Sequence, residues 1–172
     1  MRLGQAAAAA LALIAASPGS AQEAVRTDQP SVQMPKELGG GSGLSVGDGM
    51  TLYPSSRPGI GPMIGIMIVD SDKAVAMDEM AGSVRDRHRK NGLRRIMREG
   101  TFTTSKWPGA KTFFGEYETG KDFNQTWMMS TGRQNVLVTI TYLKKKDAAR
   151  AEAEVAEKIF GGAVISASKP AE

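Results

Sequence analysis

The strongest chemical signal in this sequence is a run of cations. Between residues 85 and 98 stand Arg85, Arg87, Arg89, Lys90, Arg94, Arg95 and Arg98, opposed only by Asp86, for a local charge of +6. The whole chain carries +4, and from Gln22 onward everything outside this segment sums to −3. Positive charge focused in this way attracts an anionic partner: an acidic protein face, a glycan or an anionic lipid surface. The end of a helix also favours cations, because its carbonyl pole is negative, and this accounts for Arg85 to Lys90 better than for Arg94, Arg95 and Arg98. No aromatic residues are interleaved with the arginines to stack nucleobases, so no nucleic-acid partner is expected.

Several other segments imitate active-site motifs and fail on context. Gly115 to Asp122 has the spacing of a phosphate-binding loop, but Asp122 stands where Ser or Thr must meet magnesium, and the segment reads as a hairpin turn. Gly59, Gly61 and Gly65 precede a strand instead of opening a helix, which is the wrong order for a dinucleotide fingerprint. Asp70, Ser71 and Asp72, with Asp78 and Glu79 nearby, offer oxygen ligands to a hard cation, yet capping of a helix start explains them. Glu116 and Glu118 alternate on one strand face and make a possible acid/base couple, or simply a solvated face. His88 is the single histidine, on the apolar stripe of a helix, and no Ser in a recognisable triad setting accompanies it. Met63/Met67 and Met77/Met80 have spacings that suit soft Cu(I), and the same spacings suit core packing. No cofactor, metal or catalytic residue is expected from these patterns.

These residues need elements to hold them. Thr51 to Tyr53 is a short strand, and Met63 to Val69, apolar almost throughout, suits a strand covered on both faces. Ser71 or Asp72 is placed to cap a helix over about 73–90, in which Met77, Met80, Ala81, Val84 and His88 recur on one face. Asn91-Gly92 stops it. Strands follow at Arg95–Thr103, Lys111–Glu118, Phe123–Met129 and Asn135–Leu143, the last three joined by turns at 119–122 and 131–134. A closing helix over 147–160 buries Ala149, Ala153, Ala156 and Phe160, with Arg150/Glu154 and Glu154/Lys158 as surface pairs, before Gly161-Gly162. The expected fold class is α+β: a single mostly antiparallel sheet with two packed helices, an α/β/α sandwich.

The domain plan is a signal peptide over 1–21, a flexible linker over 22–50, one domain over 51–165 and a tail over 166–172. Arg2, the apolar run Ala6 to Ala16 and the small residues Gly19-Ser20-Ala21 have the form of a secretory leader, too short to span a bilayer. The linker holds Gly39-Gly40-Gly41-Ser42-Gly43 and few large apolar residues. With no cysteine, disulfides, thiolate metal sites and a Cys nucleophile are excluded, and the apolar run leads to no lipid-bearing thiol. A periplasmic or secreted location is expected, and no transmembrane segment beyond the leader.

Met63 to Val69 leading into a helix, the meander from Gly115 to Tyr142, and Val138-Thr139-Ile140-Thr141-Tyr142 leading into a closing helix give an order of elements that resembles the PsbP-like α/β/α sandwich family over about Thr51 to Gly162. The resemblance implies an assembly, accessory or binding protein without catalysis. The photosynthetic role of that family is not implied, since no motif here carries it. The expected function is therefore an exported binding or accessory protein that contacts an anionic partner through the basic cluster. The alternatives are an envelope enzyme assembled from distant residues such as Glu116, Glu118 and His88, and a methionine-based copper binder.

Overall fold

The computed structural model describes residues 30–32, 44–47, 50–55, 63–70, 76–120, 122–142 and 148–169. Its strands are β1 (Leu44–Gly47), β2 (Met50–Ser55), β3 (Met63–Asp70), β4 (Leu93–Thr103), β5 (Lys111–Thr119), β6 (Asp122–Ser130), β7 (Gln134–Tyr142) and β8 (Val164–Ser168). The helices are α1 (Met77–Lys90) and α2 (Ala148–Lys158). All eight strands form one sheet in the order β1-β2-β3-β7-β6-β5-β4-β8, and every neighbouring pair is antiparallel.

Alternation along the strands divides the side chains between two cores. Ile66, Ile68, Phe114, Trp127, Val138 and Ile140 face α2, where Ala148, Ala151, Val155, Ile159 and Phe160 cover them. Met67, Val69, Phe113, Met128 and Leu137 face α1, beneath Met80 and Ala81 with Met77 and Val84 at the margin. The sheet thus has one helix on each face, the expected α/β/α sandwich. Trp127 anchors the larger core: Phe114 meets it edge-on at 4.9 Å and Phe160 stacks at 5.6 Å.

Five details differ from the sequence reading. Helix α1 begins at Met77 after Ala76, with no side-chain cap, a turn later than expected; Ser71 and Asp72 lie outside the described residues. Its C-terminus ends as read, with the Asn91 amide donating to the Arg87 and His88 carbonyls and Gly92 at φ 79°. In α2 the buried face is Ala148, Ala151 and Val155, whereas Ala149 and Ala153 are exposed. An alanine-rich helix labels its inner face only weakly, and Val155 and Ile159 are the residues that mark it.

The 22–50 segment is not wholly a tether. Leu44–Gly47 pairs with β2, Val32 is buried in the α2-side core, and its amide donates to Gln134 Oε1 at 2.6 Å. The Pro30 carbonyl accepts the indole N–H of buried Trp107 at 2.7 Å. At the other end, Val164–Ser168 continues the sheet beyond the expected boundary at 165, as the edge strand β8 on β4. Gly100 permits that close docking: a Cβ there would stand 2.2 Å from the Ser166 carbonyl oxygen.

Candidate functional site

The seven cations do not form one patch. Arg85, Arg87, Arg89 and Lys90 ride on α1, while Arg95 and Arg98 on β4 turn to the opposite face of the sheet, toward α2. Four of the seven are held by carboxylates. Both Glu99 oxygens accept from Arg85 Nε, at 2.9 and 3.0 Å, and Arg89 pairs with Asp86 within the helix at 2.7 Å. Arg95 reaches Glu118 at 2.9 Å, and Arg98 bridges Glu116 at 2.6 Å and Glu152 at 2.5 Å. Among the described residues, Arg87, Lys90 and Arg94 have no acidic partner. Lys90 and Arg94 are exposed, and Arg87 is partly buried.

The register of the β4–β5 hairpin creates the pairs on the α2 face. Arg95 lies opposite Glu118, and Arg98 opposite Glu116. Glu116 is only 5 % exposed, so its charge needs compensation. Arg98 supplies it, and the Tyr142 hydroxyl donates to the other carboxylate oxygen at 2.5 Å. Gln125 donates from Nε2 to Glu152, which also receives Arg98 and so ties α2 to the sheet. Burial works against the charge on Arg98, but its bonds to Glu152 and Glu116 outweigh that and leave its pKa raised. The Tyr142 phenol is pushed up by burial and by Glu116, so it remains a donor.

A second polar cluster lies on the α1 face. Tyr117 folds back over Gly115, where a Cβ would come 2.3 Å from its hydroxyl oxygen, and so reaches Glu99 on β4 at 2.8 Å. His88 stacks on the same ring, with centroids 4.2 Å apart. Burial, aided by neighbouring Arg87 and opposed by Glu99, lowers the His88 pKa to about 4 and keeps the imidazole neutral at pH 7. Arg87 is itself shifted down by burial.

The sheet separates the residues that the alternative reading, an enzyme built on Glu116, Glu118 and His88, would need together. Glu116 and Glu118 face α2, whereas His88 stacks over Tyr117 on the α1 face, so the three share no site. The glycine-rich segment from Gly115 to Asp122 is the end of β5 and the start of β6, a hairpin as read. Gly59 and Gly61 lie outside the described residues, and Gly65 is inside β3. Asp70 accepts from Gln134, Asp78 and Glu79 are exposed on the first turn of α1, and among the described residues no three His, Asp or Glu side chains converge to hold a metal ion. Met67, Met77, Met80 and Met128 do gather, in the core beneath α1.

Glu99, Glu152, Tyr117, Tyr142 and Gln125 were not legible as site residues. Their partners are 14 to 54 residues away in the chain, and only Arg95/Glu118 and Arg98/Glu116 follow from a hairpin register. No helix among the described residues is long and apolar enough to cross a membrane. No known protein-family model matches the chain, and no curated protein matches it in sequence.

Proposed function

We propose that this chain is an exported, non-catalytic binding or accessory protein of PsbP-like architecture that holds an anionic partner through Arg87, Lys90 and Arg94. One observation carries the reading: these three cations, at the C-terminal end of α1 and the start of β4, lack carboxylate partners among the described residues, while the other four in the cluster are neutralised. An uncompensated patch at a helix C-terminus focuses positive potential on its surroundings. The leader-like residues 1–21 support export to the periplasm or the medium.

The test is binding of the chain from Gln22 onward to phosphatidylglycerol vesicles, a sulfated glycan and an acidic polypeptide, each at low and high salt. Saturable binding to one of them at low salt, lost in Lys90→Glu/Arg94→Glu, is the expected result and names the partner class. Binding indifferent to that double substitution would sink the proposal. Arg98→Glu is unsuitable as a probe, because it would place a third carboxylate between Glu116 and Glu152.

The convergence of Met67, Met77, Met80 and Met128 favours a second reading, a Cu(I) binder, since thioethers are soft ligands. Phe113 and Leu137 pack in the same cluster, which is the setting of an ordinary core. Calorimetric titration with Cu(I) decides: absence of uptake removes it.

A further inference from the structure

The open edges of the sheet are finished differently. At one end β1 is four residues long, and its register shifts between Ser45 and Gly47. At the other end β8 pairs with β4 over Glu99 to Thr103, which leaves Leu93 to Arg98 without an outer strand among the described residues. That stretch holds two register shifts and carries Arg94, Arg95 and Arg98. Shortness, bulges and charge are the devices that keep a strand edge from pairing with another chain. β8 lacks the last two: Val164–Ser168 pairs with β4 in unbroken register and contains no charge and no proline. Among the described residues Val164 is also the one large apolar side chain left exposed, at 67 %.

The β8 side chains sort by face. Ile165 and Ala167 lie partly buried against the α2-side core, while Val164, Ser166 and Ser168 are exposed on the α1 side, in line with Thr103, Thr101 and Glu99.

The segment Val-Ile-Ser-Ala-Ser is complementary to its own reverse. In an antiparallel pair of β8 strands about a two-fold axis at Ser166, Val164 faces Ser168 of the second copy and Ile165 faces its Ala167. Large then meets small on each side of the sheet. The same register brings Lys169 of the second copy opposite Ala163, on the α2 side. Glu157 of α2 is exposed there, with its Oε2 3.8 Å from where a Cβ on neighbouring Gly162 would stand. Attraction between Lys169 and Glu157, once at each end of the paired strands, favours a second copy over an arbitrary extended segment.

We propose that this chain forms a symmetric dimer by antiparallel addition of β8 to β8 of a second copy, which continues the eight-stranded sheet across the interface. Backbone hydrogen bonds along the two open edges join the sheets, and Val164 and Ile165 each gain a cross-strand neighbour. Because the axis is normal to the sheet, α1 of both copies lies on the same side, and the two sets of Arg87, Lys90 and Arg94 face one way. The dimer itself does not depend on the anionic-partner reading.

The test is sedimentation equilibrium of the chain from Gln22 onward, which keeps every described residue. A five-residue contact is small, so a dissociation constant of about 10 to 100 µM is expected. Ser166→Lys sets two cations face to face on the axis and should leave a monomer, with its fold checked by unchanged circular dichroism. The absence of cysteine gives a second readout. Directly opposed residues have Cα atoms about 4.5–5.5 Å apart, within disulfide reach, so Ser166→Cys should cross-link under mild oxidation. Val164→Cys, also exposed but about 14 Å from its symmetry mate, should not. Glu157→Lys and Lys169→Glu should each weaken the dimer about threefold, and together restore it. A chain still monomeric at about 500 µM overturns the proposal and leaves the edge to an extended segment of another protein. Dimerisation unchanged in Ser166→Lys, or equal cross-linking in Ser166→Cys and Val164→Cys, also overturns it, as does a double charge exchange that fails to restore the dimer. None of these measurements involves an anionic ligand, so the dimer and the anionic partner fail separately.

Discussion

At the scale of single residues, ionisable side chains are placed by charge compensation. Glu116 is nearly buried and tolerates that only because Arg98 and Tyr142 serve both its oxygens. Arg98→Met should therefore destabilise the fold by about 2 kcal/mol in urea denaturation, below the value for a fully buried pair because Arg98 is partly exposed. Glu116→Gln with Arg98→Met should recover part of that loss, since no buried charge is then stranded. His88 gives a pH dependence of fixed sign. Its folded pKa of about 4 lies below the ordinary 6.5, so the unfolded chain takes up the proton first. The His88 contribution to stability is present above pH 6.5, falls as the pH drops from there to about 4, and then levels off. His88→Phe preserves the ring on Tyr117 and should flatten the acid limb of a stability-versus-pH curve relative to the parent chain.

At the scale of elements, two glycines decide what packs where. Gly100 admits β8, and Gly100→Ala would drive a methyl into the Ser166 carbonyl, with backbone on both sides unable to yield. Faster hydrogen exchange at the amides of Val164–Ser168, with β5 to β7 still protected, is the expected signature. Gly115→Ala instead pushes against the Tyr117 ring. It should break both the Glu99 hydrogen bond and the His88 stack, and raise the His88 pKa back toward 6.5 in an NMR titration. The cation cluster is also an element-scale matter. Its members are adjacent in sequence, yet alternation along β4, with its irregular register, turns Arg95 and Arg98 to the far face of the sheet, so sequence density of charge overstated the patch.

At the scale of the molecule, the fold was largely legible. Strong period-two patterns in Phe123–Met129 and Asn135–Tyr142, and the periodic Met77–Val84 stripe, reported the sheet and its first helix directly. The ends were read less well. Pro30 to Val32 is held by partners 77 and 102 residues on, Trp107 and Gln134, and no local pattern announces such contacts. Deleting residues through 32 should cost about 4 kcal/mol, the order of one buried Val and two hydrogen bonds, and increase the quenching of Trp107 fluorescence. A true tether would leave both unchanged.

Sequence by itself determined the class of fold, the absence of thiol chemistry and the existence of a cationic segment, because each depends on residue identity and short-range period. Tertiary structure alone decided which cations are neutralised and that Glu116 and His88 lie on opposite sides of the sheet. Those facts depend on strand order and register. In particular, β3 pairs with β7 and β4 with β8, contacts between distant segments that no local propensity encodes.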